Sequence, residues 1–299
     1  MKITVIGAGA LGTFYSAMMA SSGYDVTLVC REKDVNALKK GIAVTGNIEM
    51  TAHPAIMSSP PESDLFLIIV KSYDIAGAAE MIADISPGSP VVVIHNGLGG
   101  DETAASILGK GRVAAGVSYS GVTLLEPGKV RLTGYTETVL GSVEETVQAG
   151  LSEVREVLES SGLKARTSDD IRSSQWEKMY ANLAINPVTA ITGLRNGMIL
   201  EVPELKALAA SIVREAAEVS AALGVRTQGD PVGKMYRVVS DTYNNRSSML
   251  QDVTRGKPTE IDVLNGKVSL LGHKARVPTP INDTITALIK GIEHNKIGR

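Results

Sequence analysis

The first half of the chain is punctuated by short, largely apolar runs at residues 3–6, 26–29, 65–70 and 91–94, the last two wholly apolar. Runs of that length without polar alternation mark parallel strands covered on both faces. Helical spacing fills the intervals at 11–21, 34–40, 75–85 and 101–108, and a further strand follows at 113–116. Strand and helix in alternation predict a doubly wound parallel sheet. Residues 42–51 alternate about Gly46 and Asn47, which predicts a small hairpin. From Ser118 the pattern changes. Runs at 118–125, 130–133 and 138–141, with a turn at Glu126-Pro127-Gly128-Lys129, predict an antiparallel meander, and a helix over 144–161 closes at Gly162.

Beyond about Asp169 the strand signals disappear, leaving helical periodicity broken at Pro187, Gly193, Pro203, Gly224, Pro231, Gly256 and Pro278. Residues 205–223 are the clearest member, with Leu, Ala, Ile and Val on one face and Lys206, Arg214, Glu215 and Glu218 elsewhere. At 299 residues the chain is at the size where one core stops growing. The change of pattern therefore predicts two domains, an α/β domain over 1–168 and an all-helical one over 169–299, with a substrate expected in the cleft between them.

The junction of the first strand and first helix carries Gly7-Ala8-Gly9-Ala10-Leu11-Gly12. Followed by a second strand at 25–29, this spacing is the dinucleotide-binding fingerprint of a Rossmann-type fold. Gly7 permits the tight turn, Gly9 lets the backbone approach a pyrophosphate, and Gly12 lets the helix press on the strand. The N–H groups at the helix start and the helix dipole favour the bound anion. The second strand then ends in Val29-Cys30-Arg31-Glu32, where an NAD site would place an acid. Arg31 can fork onto a 2′-phosphate, so NADPH is expected over NADH; the plainer alternative is a surface arginine paired with Glu32. Lys71 also ends a strand at that crevice, placed for a phosphate or a carboxylate or simply solvated.

Composition narrows the class. Hydrophobic residues make up 43% and charged residues 21%, with 30 basic against 32 acidic side chains, which suits a globular enzyme and provides no surface for nucleic acid. The single cysteine, Cys30, cannot form an internal disulfide, as expected of a protein in a reducing cytoplasm. Residues 65–70, the longest wholly apolar run, are too few to span a bilayer, and glycines 7, 9 and 12 interrupt the stretch a secretory leader would need. Neither a leader nor a membrane segment is expected. His53, His95, His273 and His294 show no metal-ligand spacing, so no metal is expected.

In the helical stretch from Trp176 to Pro187, Lys178, Asn182 and Asn186 fall at i, i+4 and i+8 and form one polar row. Asparagine is a poor helix former, so two in one row call for a reason, either a ligand or hydrogen bonds to neighbouring loops. With this row in place the chain resembles the ketopantoate reductases, or 2-dehydropantoate 2-reductases, which reduce a branched 2-oxo acid with NADPH. The resemblance runs nearly end to end. It includes the glycine loop, Arg31, Val70-Lys71-Ser72, His95-Asn96-Gly97-Leu98-Gly99, the Lys178 helix with Asn186-Pro187-Val188-Thr189-Ala190, Asn196-Gly197, Ser247-Ser248-Met249-Leu250-Gln251-Asp252 and Thr259-Glu260-Ile261-Asp262-Val263-Leu264-Asn265-Gly266.

The resemblance implies Lys178 as proton donor, Glu260 across the active site from it, and Asn96, Asn182, Asn186, Asn196 and Ser248 as substrate positions. It places Gly7, Ala8, Gly9, Ala10, Leu11, Gly12, Arg31, Lys71 and Asn96 at NADP(H), and it implies a product, pantoate, on the way to pantothenate and coenzyme A. The chemistry is consistent with those roles. Hydride reaching a keto carbon leaves negative charge on the oxygen, which a poised ammonium both stabilises and protonates. Burial alone favours a neutral lysine, and a carboxylate such as Glu260 would restore the ammonium. Plainer readings stay open: Glu260 as an acid at a helix start, Asn96-Gly97 and Asn196-Gly197 as turns, Ser248 as a helix cap. At His95 the family often carries another polar residue. The rival functions are a reductase of another small 2-oxo or hydroxy acid and a non-catalytic NADP(H)-binding sensor. The expected partner is the small-molecule substrate, and the sequence leaves a homodimer open.

Overall fold

In the computed structural model, which describes residues 1–142 and 144–297, the apolar runs of the first half become the strands of one large sheet. In chain order come β1 (Lys2–Ile6), α1 (Ala10–Ser21), β2 (Asp25–Val29), α2 (Glu32–Leu38), β3 (Ile42–Gly46), β4 (Met50–Ala52), β5 (Ala55–Met57) and β6 (Leu65–Ile68). They are followed by α3 (Ile75–Glu80), β7 (Val91–Ile94), α4 (Gly100–Leu108), β8 (Val113–Ser118), β9 (Gly121–Glu126), β10 (Lys129–Gly134), β11 (Thr138–Gly141), α5 (Glu145–Ser160) and β12 (Ala165–Thr167). Among the described residues the large sheet has the order β12-β11-β8-β7-β6-β1-β2-β5, parallel except where β11 runs against β8.

The continuous apolar runs have a direct cause. Leu65, Leu67, Val92 and Ile94 join the core built on Phe14, Tyr15 and Met19 of α1, whereas Phe66, Ile68, Val91 and Val93 join Ile75, Ala79 and Ala104 on the other face. With helices over both faces, neither set of alternate positions tolerates a polar side chain. The strand order reverses at β1, where Ile6 stands opposite Val29 of β2 on one side and Ile68 of β6 on the other. The segments leaving these three strands, at 7–12, 30–31 and 69–71, therefore emerge together at the carboxyl edge, where open α/β sheets hold ligands.

Three expectations are corrected. The meander does not form: β9 and β10 pair as a hairpin, but β10 also pairs parallel with β3 in a second sheet, β4-β3-β10-β9, and β11 returns to β8 in the large one. Burial separates them, since β10 alternates whereas β11 is buried at every position. The helix expected at 75–85 stops at Glu80. Beyond it the buried Arg112 donates to the carbonyls of Ile82, Ile85, Ser86 and Ser89, so those groups find partners outside a helix. The strand expected to reach Val70 ends at Ile68, and the three-residue strands β5 and β12 were too short to show a period.

By its contacts the chain divides into two compact units, Met1–His95 with Gly99–Ile171, and Asn96–Leu98 with Arg172 onward. The second unit holds α6 (Ile171–Thr192) from its second residue on, α7 (Met198–Glu201), α8 (Pro203–Ala222), α9 (Pro231–Asp241), α10 (Ser248–Thr254), α11 (Asn265–Ala275) and α12 (Pro280–Ile297). Its core gathers Trp176, Tyr180, Leu183 and Val188 of α6 with Ile212, Val213 and Val219 of α8 and Val268, Ile285 and Ile289. Pro187, expected to break the helical pattern, instead lies inside α6; prolines 203 and 231 stand at helix starts, where a missing N–H costs nothing, and Asp230 caps α9 by accepting from Val232 and Gly233.

Candidate functional site

The glycine loop joins β1 to α1. A side chain on Gly7, whose φ is +117°, would lie 2.3 Å from the Ile69 carbonyl oxygen, and one on Gly12 would lie 2.0 Å from that of Gly7. Gly9 differs: a side chain there would meet nothing within 4 Å. Packing does not demand glycine at 9, so its effect is to keep the backbone bare toward whatever the loop holds. Gly9 is also the cap residue of α1, and no side chain closes that first turn. The N–H groups near Ala10, Leu11 and Gly12 thus fit a pyrophosphate.

Beside this loop, Arg31 precedes α2, and its Nη2 donates to Asp74 Oδ2 at 3.2 Å, with both side chains exposed. Asp74 closes the turn that Lys71 opens, through Asp74 N donating to Lys71 O at 2.9 Å. The fold therefore brings the Lys71 turn to Arg31. Glu32, the neighbour that could have paired with Arg31, is not its partner; Asp74 is.

In the second unit, α6 places Lys178, Asn182 and Asn186 along one line, with Lys178 and Asn182 partly buried and Asn186 buried. The opposite faces are spent on Met179, Tyr180, Leu183 and Ala184 in the core, and Tyr180 shares a buried hydrogen bond of 2.6 Å with Ser220. Trp176 is a core residue beside Tyr180. Burial lowers the Lys178 amine to about 8, while the charge of Glu260 pulls the other way. An amine in that range is mostly protonated near neutrality yet gives up its proton readily, as general acid catalysis requires.

Glu260 is itself buried, and its Oε2 accepts from Asn96 Nδ2 at 3.3 Å. The contact depends on Gly97. Leu98 N donates to Val263 O at 3.3 Å, and with φ +88° at Gly97 the segment lies so close that a side chain there would come within 2.4 Å of that same oxygen. Residues 96–98 are thereby fastened to the short turn Ile261–Val263 that follows Glu260. Thr259 N donates to Glu293 Oε1 at 2.7 Å, which holds the other side.

The remaining candidates separate. Ser248 is the first residue of α10 and exposed, and the cap is Ser247, whose Oγ accepts from Leu250 N at 3.1 Å and from Thr189 Oγ1 at 2.7 Å. That corrects the capping reading of Ser248 and shows how α10 is tied to α6 beside Asn186. Asn196 is buried with its amide nitrogen on Thr242 Oγ1 at 3.0 Å, so that group is engaged within the fold. His95 accepts at Nε2 from Gly100 N at 3.2 Å, a bond at the start of α4. Sequence reasoning missed Ser247 and Asn265, both of which hold α6. Pro187 inside a helix was the available signal, since it leaves a carbonyl to be satisfied. Among the described residues no group of three or more His, Cys, Asp or Glu side chains could hold a metal, and no helix is long and apolar enough to cross a membrane.

Comparison with known proteins gives these positions a context. Residues 3–145 match the model of the ketopantoate reductase PanE/ApbA family, and residues 170–293 match its C-terminal model. The chain belongs to the ketopantoate reductase family. The 2-dehydropantoate 2-reductase of Archaeoglobus fulgidus is 35% identical over 294 residues, covering 98% of each chain. A PanE/ApbA family ketopantoate reductase crystal structure from Ralstonia eutropha superposes with a TM-score of 0.91 at 30% identity, covering 99% of both chains. A ternary structure of D-mandelate dehydrogenase with NADH and anilino(oxo)acetate superposes with a TM-score of 0.92 at 25% identity, also covering 99% of both. As a member of this reductase family, the chain is an oxidoreductase.

Proposed function

We propose that the protein reduces 2-dehydropantoate to pantoate with NADPH, a step toward pantothenate and coenzyme A, with Lys178 as the general acid. The observation that carries the reading is the convergence of Lys178, Glu260 and Asn96, with the amine lowered to about 8 by burial while the Glu260 carboxylate holds its charge in play. The bound cofactor would supply hydride to the keto carbon. The residues do the rest. The Lys178 ammonium stabilises the charge that grows on the keto oxygen and protonates it. Glu260 keeps Lys178 charged before transfer, and Asn96 fixes the Glu260 carboxylate. Asn182, Asn186 and Ser248 offer donors for the carboxylate and hydroxyl of the acid, while Asn196, whose Nδ2 is taken by Thr242, has only its Oδ1, an acceptor, to offer a substrate hydroxyl.

The labour divides along residues 1–168 and 169–299, the first holding nucleotide and the second substrate. Gly7, Ala8, Gly9, Ala10, Leu11 and Gly12 would hold the pyrophosphate, with Lys71 and Asn96 at the nucleotide as well. Arg31 supports NADPH, since its guanidinium suits a 2′-phosphate. A second reading has its own support: the similarity to D-mandelate dehydrogenase solved with NADH favours a reductase of an aryl-substituted 2-oxo acid. Oxidation of NADPH and NADH, followed with 2-dehydropantoate, phenylglyoxylate and a straight-chain 2-oxo acid, decides between them. Highest kcat/KM with 2-dehydropantoate and NADPH is the expected result. A preference for phenylglyoxylate with NADH would overturn it.

A further inference from the structure

Pro187 has no N–H, so the Leu183 carbonyl one turn earlier in α6 lacks the hydrogen bond a continuous helix would supply. Asn265 takes the vacant place. Its Nδ2 donates to Leu183 O at 3.1 Å and also to Asn282 Oδ1 at 3.0 Å. Asn282 Nδ2 in turn donates to Ile212 O at 3.2 Å and to Glu215 Oε2 at 2.7 Å, and Glu215 accepts the backbone N–H groups of Ile281 and Asn282, each at 2.9 Å. A buried polar chain drawn from α8, α11 and α12 thus ends on the open carbonyl of α6. Asn265 and Asn282 are both fully buried.

The place of that carbonyl matters. The Leu183–Pro187 break spans the turn that separates Asn182 from Asn186, so its geometry decides where Asn186 stands relative to Lys178. The clamp uses the amide nitrogen alone, since Asn265 Oδ1 is buried with no partner among the described residues. We infer that Asn265 is a positioning residue of the reaction: its amide fastens the open turn of α6 at Pro187 and so sets the substrate-facing asparagines against Lys178. The inference rests on the reading of Lys178, Asn182 and Asn186 given above.

The test pairs Asn265→Leu with the double variant Pro187→Ala/Asn265→Leu, in which residue 187 regains an N–H and α6 can close its own hydrogen bond. Thermal unfolding, NADPH Kd and steady-state kinetics are measured on both, using the 2-oxo acid that the wild type turns over best. Asn265→Leu is expected to lose about tenfold or more in kcat/KM with NADPH Kd within about twofold of wild type. The double variant should recover thermal stability while its kcat/KM stays low. A merely structural residue would show kcat/KM returning together with stability, and that result overturns the inference, as does wild-type kinetics in Asn265→Leu. Should Asn265→Leu not fold, the double variant decides by the same criterion. Failure of the Lys178 reading shows separately, as an active Lys178→Ala protein in which Asn265→Leu is still impaired.

Discussion

Replacing Gly97 by alanine probes the contact that brings Asn96 to Glu260. Gly97 has φ +88°, a left-handed conformation that costs a side-chain-bearing residue about 1–2 kcal/mol. The added carbon would sit 2.4 Å from Val263 O, where ordinary contact begins at 3.4 Å, so the two backbones must part by the difference, 1.0 Å. That movement breaks the 3.3 Å hydrogen bond from Leu98 N to Val263 O, worth about 1 kcal/mol, for a total near 2–3 kcal/mol. It also carries Asn96 Nδ2, already 3.3 Å from Glu260 Oε2, beyond hydrogen-bonding range. Misplacement on this scale lowers catalysis by about 10–100-fold. Steady-state reduction of 2-dehydropantoate, with NADPH affinity by fluorescence and unfolding by circular dichroism, measures all three effects. A folded Gly97→Ala protein with kcat/KM within about twofold of wild type would show that the approach of 96–98 to Val263 does not position Asn96 for the reaction.

Lys178 must carry its proton to give it away, so kcat/KM for reduction should fall as pH rises through about 8, and the reverse oxidation should rise there. Glu260→Gln removes the charge that holds the amine up, so the midpoint should move lower; an upward shift would contradict the coupling. Arg31→Ala should weaken NADPH by about tenfold or more and leave NADH nearly unchanged, whereas Asp74→Asn, which frees Arg31 from its ion pair, should tighten NADPH in calorimetric titration. Equal losses for both nucleotides would remove Arg31 from 2′-phosphate recognition. Ser247→Ala deletes both the α10 cap and the Thr189 bond, and should cost about 1–2 kcal/mol in denaturant unfolding while raising KM more than it lowers kcat.

The α/β half was legible because its signals are local. Buried parallel strands need unbroken apolar runs, and the turn after β1 needs glycines where backbone atoms approach. Partners were not legible. Residues 129–134 and 138–141 both read as strands, but nothing within either segment says that one joins β3 and the other β8. The same holds for the candidate site. The Lys178-Asn182-Asn186 row follows from helical spacing, whereas the bonds holding α6 come from Asn265 and Ser247, and the approach that brings Asn96 to Glu260 comes from Gly97 against Val263, all with partners far along the chain. Arg31 illustrates the limit: its type pointed to a phosphate, its neighbour Glu32 offered a pair, and the fold supplied Asp74 instead.

The most direct measurement is the single-turnover oxidation of bound NADPH by 2-dehydropantoate in wild-type protein and in Lys178→Ala, with NADPH Kd determined on the same samples. A hydride step slowed by about 100-fold or more, at nearly unchanged NADPH affinity, is the expected result for a lysine that stabilises and protonates the keto oxygen. A hydride step as fast in Lys178→Ala as in wild type would contradict it.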